Sequence, residues 1–296
     1  MEHSLNLKTQ AMAFNVQTFL TRLGSAVVFT AVMLLGLIGH IYAFIGLFFL
    51  VTILCLKEYV QLIEKIVQTS FSAHEKTSFM AMGITAFLAI IAMPMGLCGN
   101  AVYELIHLQF FFLIGLFIGA CLYFLVTRKN PKAWHLMGGI GYIAVSLALL
   151  VQLRYQSLLL PVMLLFFIWM NDTMAYLTGS FIGKTPFAPT ISPKKTIEGT
   201  LGGMVFTLLF AGIWGYFYHA FPLYQWLVIG LIASIIGTIG DLIESKLKRM
   251  AGVKDSGAIM PGHGGALDRF DSLLFAAPFA FLYALLDMAC FQVAVF

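Results

Sequence analysis

The chain has 296 residues, 60% of them hydrophobic and only 10% charged, with a net charge of +4. Soluble globular domains carry about 25% charged residues, so this composition excludes a soluble protein. The sequence contains runs of about 20 apolar residues, as membrane-spanning helices require, rather than the alternating ten-residue segments of a transmembrane barrel. We therefore predict an all-α integral membrane protein, built as a polytopic helical bundle.

Nine apolar stretches are candidate membrane spans. In chain order they are residues 23–40, 41–56, 78–95, 103–126, 136–153, 157–177, 200–219, 223–241 and 270–290. Only His40 separates the first two stretches, so eight and ten spans are alternatives. We expect a region 1–165 with about five spans and a cytoplasmic amphipathic segment near 57–76, followed by a region 166–296 with about four spans.

The distribution of lysine and arginine predicts the orientation of the chain. With nine spans, all 17 Lys and Arg residues except Arg154 fall on the side of the N-terminus. Because such residues gather in cytoplasmic loops, we expect a cytoplasmic N-terminus, and we attribute the net positive charge to topology rather than to nucleic-acid binding. Residues 1–21 lack the pattern of a cleavable signal peptide, and we expect a bacterial inner-membrane protein.

Two polar clusters come first in the second region. Asn171, Asp172 and Thr173 lie near the end of the sixth span, with Lys184 in the loop that follows. Asp172 is either a polar partner for another helix or a residue that lines a cavity, and we favour the cavity. The sequence ISPKKTIEGTLGG, residues 191–203, then places hydroxyls and ammonium groups before a helix N-terminus, which favours anions. This segment is a phosphate site or a basic loop with turn chemistry.

Asp241 ends the apolar run of the eighth span. If the helix continues, Glu244, Ser245 and Lys248 share its face at i+3, i+4 and i+7. This arrangement suits a metal and phosphate site, although a helix end that extends its charges to the membrane surface has the same pattern.

The sequence GHGGALDRFDS, residues 262–272, concentrates charge at the start of the last span. Asp268 and Asp271 are one helical turn apart, so both carboxylates share a face. One of them could cap the helix, but a cap does not account for both, nor for Arg269 and His263 beside them. Charged groups at this depth are costly, which makes a functional role the default hypothesis.

The segment SKLKRMAGVKDSGAIMPGHGGALDRFD, residues 245–271, closely resembles the signature of the phosphatidate cytidylyltransferases, also called CDP-diacylglycerol synthases. An ISPKKT-x-EG element and an Asp-Thr-x-Ala-Tyr element extend the resemblance over residues 170–275, with Met174 where the family usually has Gly. The resemblance implies that CTP and phosphatidate give CDP-diacylglycerol and pyrophosphate, with Mg²⁺. It also implies that Asp241 and Asp268 bind metal, with Asp271 as a helper, and that 166–296 is the catalytic region.

The residues suit this reaction. The nucleophile is a phosphate monoester that is mostly dianionic at pH 7, so no strong general base is needed. Repulsion between the two anions must instead be relieved by metal and fixed positive charge. We predict metal ligands at Asp241, Asp268 and Asp271, further catalytic residues at Lys248, Arg249, Arg269 and His263, and nucleotide contacts at Ser192, Lys194, Lys195, Thr196, Ser245, Lys254 and Asp255.

The cofactor and the partners follow from the same assignment. We expect Mg²⁺, with K⁺ as a candidate second cation, and CTP and membrane-borne phosphatidate as substrates at a cytoplasmic active site. A symmetric homodimer is the general prior for an oligomer. Two alternatives are a CTP-dependent transferase or kinase for an isoprenoid lipid, and a cation-coupled transporter, which would need ionisable residues near the membrane midplane.

Overall fold

The computed structural model describes residues 16–92, 131–259 and 264–288. Ten α-helices make up most of this part of the chain: α1 (Val16–Ile38), α2 (Ile41–Val67), α3 (Ala73–Ile91), α4 (Pro131–Gly139), α5 (Ser146–Gln156), α6 (Leu159–Ile182), α7 (Ile197–Phe217), α8 (Leu223–Leu231), α9 (Gly237–Met250) and α10 (Leu267–Tyr283). Short π-helical segments join α4 to α5 and α8 to α9, so that each pair forms one continuous helix, and a third extends α10.

Six helices within these described ranges are long and apolar enough to cross a membrane: Ile41–Val67, Trp134–Gln156, Leu159–Ile182, Ile197–Phe217, Leu223–Met250 and Leu267–Asp287. The chain is therefore a helical integral membrane protein, as its composition predicts. The predicted spans 23–40 and 78–95 fall on α1 and α3, which are helical but are not among the six. The predicted span 103–126 lies outside the described residues.

Helices α2 and α9 continue well past the ends of their predicted spans, and charged residues in both extensions are paired inside the protein. Helix α2 continues from residue 56 to Val67, and its Glu58 is 3% exposed and accepts hydrogen bonds from Ser256, Ala266 and Leu267. Helix α9 continues to Met250, and its Lys248 pairs with Asp268. Satisfied charges of this kind can be buried at an acceptable cost.

A short antiparallel hairpin occupies part of the segment that the sequence analysis treated as a loop. Strand β1 (Pro186–Ala188) pairs with β2 (Ser192–Thr196). The carboxylate of Glu198, in the first turn of α7, accepts hydrogen bonds from the backbone of Lys184 and from the backbone and hydroxyl of Thr185. These bonds hold the base of the hairpin against the start of α7.

Helices α6 and α7 approach closely through small residues. A Cβ atom at Gly203 would lie 2.7 Å from the carbonyl oxygen of Asn171 and 2.9 Å from the Cβ of Ala175. A Cβ at Gly199 would lie 2.7 Å from the carbonyl oxygen of Ala175. Small residues at a membrane helix interface allow this kind of backbone contact. The contact brings the end of α6 beside the hairpin.

Helices α9 and α10 also meet at a glycine. A Cβ at Gly240 would lie 2.7 Å from both the carbonyl oxygen of Asp271 and the Cβ of Phe275. Helix α10 is among the most buried elements, with Leu274, Ala277 and other side chains of its core face inaccessible to solvent. The crossing places Asp241, which follows Gly240, next to the first turns of α10.

Candidate functional site

A cavity of about 680 Å³ lies where α1, α6, β2, α7, α9 and α10 converge. It combines acidic, basic and amide side chains with the apolar rings of Phe29, Trp169 and Tyr176. Its polar lining consists of Asn171, Asp172, Ser180, Lys194, Lys195, Thr196, Thr200, Thr238, Asp241, Asp268, Arg269 and Asp271.

The fold brings seven of the fourteen predicted site residues to this cavity. The three predicted metal ligands, Asp241, Asp268 and Asp271, all line it, and so does Asp172, as the cavity interpretation of that residue expects. The other predicted residues that line it are Lys194, Lys195, Thr196 and Arg269. Ser192, Ser245, Lys248, Arg249, Lys254 and Asp255 are not part of the lining, and His263 lies outside the described residues.

Asp241 joins α9 to the hairpin. Its Oδ2 forms an ion pair with the ammonium group of Lys195, and its Oδ1 accepts a hydrogen bond of 3.1 Å from the hydroxyl of Ser245. Ser245 is one turn further along α9, so the predicted i+4 arrangement is found. Ser245 thus contacts the carboxylate of Asp241 from outside the cavity lining.

Asp268 is surrounded by donors. Its Oδ1 is 2.7 Å from Nζ of Lys248, and its Oδ2 accepts from the backbone N–H of Ser256 at 2.9 Å, the hydroxyl of Ser256 at 3.0 Å and the backbone N–H of Gly265 at 2.7 Å. Lys248 is also 2.5 Å from Oε2 of Glu244, whose side chain is fully buried. Lys248 therefore links two carboxylates and supports Asp268 from behind the cavity.

Asp271 and Asn171 complete the inner wall. Oδ1 of Asp271 accepts a hydrogen bond of 2.6 Å from the backbone N–H of Ser272. The amide nitrogen of Asn171 is 3.4 Å from the hydroxyl of Thr238, while its buried Oδ1 has no hydrogen-bond partner among the described residues. Asp271 therefore contributes a carboxylate to the inner wall, while Oδ1 of Asn171 faces Gly203 of α7, whose Cβ would lie 2.9 Å from it.

Arg249 does not line the cavity, and its guanidinium group instead donates hydrogen bonds to backbone carbonyl oxygens. Its Nε donates to the carbonyl oxygen of Ile191 at 3.2 Å and its Nη1 donates to that of Val253 at 3.2 Å. These bonds tie the turn of the hairpin to the end of α9. Lys254 and Asp255 are exposed on the loop that follows.

The donor set of the cavity fits a hard divalent cation. Mg²⁺ prefers oxygen ligands and is usually held by one or two carboxylates together with waters and substrate phosphates. Among the described residues, no group of three or more His, Cys, Asp or Glu side chains is arranged to hold a metal ion. Asp241, Asp268 and Asp271 nevertheless supply carboxylates on two adjoining helices, which meets the smaller requirement of Mg²⁺.

Glu58 is a residue that the sequence analysis did not select. It belongs to α2, yet it accepts hydrogen bonds from the loop between α9 and α10 and from the start of α10. A single acid beside Lys57, at the end of an apolar run, resembles an ordinary helix end, and nothing local marks it as buried. Its partners are about 200 positions away in the sequence, with a separation of 198 residues for Ser256.

Comparison with known proteins agrees with these observations. Residues 20–287 match the model of the cytidylyltransferase family. A phosphatidate cytidylyltransferase from Staphylococcus aureus (strain COL) is 43% identical over 141 residues, which are 47% of this chain and 54% of that protein. A phosphatidate cytidylyltransferase from Bacillus subtilis (strain 168) is 34% identical over 221 residues, 74% of this chain and 73% of that protein.

The matched segment spans about half the length of the Staphylococcus relatives and nearly three quarters of the Bacillus relative. The family match covers most of the chain. It includes the hairpin, the cavity-lining starts of α9 and α10, and α2 with Glu58. The chain belongs to the cytidylyltransferase family.

Proposed function

We propose that the chain is a phosphatidate cytidylyltransferase that converts CTP and phosphatidate into CDP-diacylglycerol and pyrophosphate. The observation that carries this proposal is the single cavity in which Asp241, Asp268 and Asp271 meet Lys194, Lys195 and Arg269. Carboxylates that can hold a cation, together with fixed positive charges, are the groups that phosphoryl transfer between two anions requires. The names of the relatives support the choice of CTP and phosphatidate.

The bond changes are those of a nucleotidyl transfer. An oxygen of the phosphatidate monoester attacks the α-phosphorus of CTP, the bond from that phosphorus to the α,β-bridging oxygen breaks, and pyrophosphate leaves with the electron pair. The monoester is mostly dianionic at pH 7, so no side chain has to remove a proton from it. Lys194 and Lys195, beside the N-terminus of α7, would bind the triphosphate, since helix N-termini favour anions.

Asp241 and Asp268, with Asp271, would hold Mg²⁺, which supplies charge neutralisation for the phosphoryl oxygens when bound. We retain K⁺ as a candidate second cation, for which Asp172 is an oxygen donor on the same wall. Lys248 would fix the direction of the Asp268 carboxylate, and Ser245 that of Asp241.

We also propose the nine-span topology, with a cytoplasmic N-terminus and a cytoplasmic active site in a bacterial inner membrane. The described contacts support this arrangement. Arg154, the one Lys or Arg predicted to lie outside, donates to the carbonyl oxygen of Gly39 at 3.3 Å, and Gly39 lies at the predicted external end of the first span. Glu58 accepts hydrogen bonds from Ser256 and Ala266, and all three residues fall on the predicted cytoplasmic side. The homodimer stays a prediction.

Pyrophosphate release by the detergent-purified protein tests the activity. With CTP, Mg²⁺ and phosphatidate we expect release that depends on the lipid and falls at least about 100-fold in Asp268→Asn, since removal of a key charge-stabilising group costs about 10²–10³ in rate. Asp287→Asn is the matched control, because it makes the same change in the π-helical segment that extends α10, at the opposite end from Asp268.

Three results would contradict the proposal. Release that occurs with an isoprenoid phospholipid but not with phosphatidate would favour the alternative lipid transferase. Equal activity in Asp268→Asn and the wild type would remove Asp268 from the site. No release with any phosphorylated lipid from a folded protein would overturn the enzymatic assignment and favour transport.

A further inference from the structure

We propose that Glu58 is a positioning residue for this reaction, which holds the loop before α10 and the start of α10 so that the Asp268 carboxylate is fixed at the cavity. The proposal rests on the function proposed above. Glu58 itself does not line the cavity. It would act through Ser256 and the backbone that carries Asp268.

Both oxygens of the Glu58 carboxylate accept hydrogen bonds. Its Oε1 accepts from the backbone N–H of Ala266 at 2.9 Å, and its Oε2 accepts from the backbone N–H of Leu267 at 2.9 Å and from the hydroxyl of Ser256 at 2.8 Å. The side chain is buried, with 3% of the residue exposed. A buried carboxylate is tolerated only when it is paired or hydrogen-bonded, and here each donor belongs to the segment that precedes or begins α10.

Glu58 caps the N-terminus of α10, which has no capping side chain of its own. The residue at the N-cap position, Ala266, makes no side-chain cap, and the N–H groups of Ala266 and Leu267 are satisfied by Glu58 instead. A negative charge at a helix N-terminus is also stabilised by the helix dipole. A residue of α2 thus determines where α10 begins, which is one residue before Asp268.

Ser256 connects the two carboxylates. Its hydroxyl oxygen is 2.8 Å from Oε2 of Glu58 and 3.0 Å from Oδ2 of Asp268, so its one proton is shared between the two carboxylates. Its backbone N–H donates to the same oxygen of Asp268. Gly265, next to the residue that Glu58 binds, donates its N–H to that oxygen as well. The groups that Glu58 holds are therefore the groups that orient Asp268.

The glycines of the loop fit around Glu58. A Cβ at Gly257 would overlap Oε1 of Glu58, and a Cβ at Gly265 would overlap Oε2 of Glu58 and the hydroxyl of Ser256. Both glycines belong to the segment that carries the family resemblance. Because these glycines have no side chain, the loop has room for the Glu58 carboxylate. This close fit is a second observation in favour of the inference.

Glu58→Gln tests the inference in the full-length protein, with Glu64→Gln as the matched control. Glu64 lies on the same helix and pairs with Lys76, away from the cavity. In the Gln variant one carboxylate oxygen becomes an amide nitrogen, which cannot accept a hydrogen bond. We expect kcat to fall about 10- to 100-fold, the effect typical of removing a group that orients a metal ligand, with the KM for CTP within about twofold of wild type.

Amide hydrogen exchange without substrate gives a readout that does not depend on activity. We expect residues 256–272 to exchange faster in Glu58→Gln than in the wild type and in Glu64→Gln, with α3 and α7 unchanged. If Glu58→Gln does not fold, Ser256→Ala takes its place, because it removes the bridging hydroxyl and keeps the carboxylate. The same changes in kcat and exchange are then expected, in the same direction.

Unchanged exchange at 256–272, or a kcat equal to that of the wild type, would overturn the inference. So would an equal loss of kcat in Glu64→Gln, which would indicate general destabilisation. The proposed function fails separately: if the wild type makes no CDP-diacylglycerol, the catalytic role of Glu58 fails with it, while exchange still decides whether Glu58 holds the loop.

Discussion

Two cavity carboxylates are each paired with a lysine. Asp241 pairs with Lys195 of the hairpin, and Asp268 pairs with Lys248 of α9. Lys195 lines the cavity and comes from a different element than its partner, whereas Lys248 is behind the wall and also contacts buried Glu244. The two lysines therefore differ in position: Lys195 is open to the cavity, where we propose that it contacts the triphosphate, whereas Lys248 supports a carboxylate from behind.

Lys195→Met is expected to lower kcat/KM for CTP about 100-fold, because it removes a positive charge that would face the triphosphate and leaves Asp241 without its ion-pair partner. Steady-state kinetics with varied CTP measures the effect. Lys246→Met, an exposed position on α9, is expected to behave as wild type. A Lys195→Met enzyme with unchanged kcat/KM for CTP would assign triphosphate binding to other residues.

The individual site residues were predictable where their spacing is local. The four-residue interval from Asp241 to Ser245 and the three-residue interval from Asp268 to Asp271 are fixed by helix geometry, and both pairs lie as expected. Arg249 and Glu58 were not predictable in the same way, since the Arg249 contact with Ile191 and the Glu58 contact with Ala266 depend on how distant elements pack.

At the scale of elements, the close contact between α6 and α7 sets one wall of the cavity. Asp172 and Asn171 belong to α6, while Lys195 and Thr196 come directly before α7. The distance between these groups depends on the glycines that let the two backbones meet. A larger side chain at Gly203 should therefore affect the cavity, because the atoms nearest to its Cβ belong to Asn171 and Ala175 of α6.

Gly203→Val is expected to separate α6 from α7 and to lower both thermal stability and activity, because its Cβ would lie 2.7 Å from the Asn171 carbonyl oxygen. Overpacking of this kind costs about 1–3 kcal/mol. Gly212→Val on the same helix is the control, since the nearest atom to its Cβ would be 3.9 Å away. Thermal unfolding in detergent compares the two variants, and equal melting temperatures would contradict the packing argument.

The elements themselves were only partly predictable. Six of the nine predicted spans coincide with helices that are long and apolar enough to cross a membrane. Helices α2 and α9 continue past the ends of their predicted spans, because an apolar scale counts every charge as a termination signal while paired charges continue the helix inside the bundle. The hairpin carries no apolar alternation. Its position depends on Glu198, whose contacts with Lys184 and Thr185 link segments that are 13 and 14 residues apart.

At the scale of the whole molecule, the spans differ in how much they are enclosed by protein. In the most apolar window of Trp134–Gln156, 61% of residues are buried inside the protein, against 22% for Ile197–Phe217. The helix Trp134–Gln156 is thus central. The helix Ile197–Phe217 is peripheral, with Leu201, Val205 and Leu209 exposed along it. Exposed aliphatic side chains on a membrane helix are suited to contact with lipid.

The proposed topology can be measured by cysteine labelling. In a variant lacking Cys55, Cys98, Cys121 and Cys290, we expect a cysteine at Lys246 to react with an impermeant thiol reagent only from the cytoplasmic side. A cysteine at His219, in the loop after α7, should react only from the opposite side, because α8 and α9 together form one span. Both sites should react after solubilisation. Labelling of both from one side would contradict the topology.

The contact between Glu58 and the start of α10 also has a consequence for biosynthesis. Glu58 and Ala266 are 208 residues apart, and a ribosome adds roughly 5–20 residues per second. Glu58 is therefore synthesised on the order of 10 to 40 s before its hydrogen-bond partners. During that interval the carboxylate has none of its final donors, so the nascent chain must keep it near water, and the site can assemble only once the last helix has been inserted.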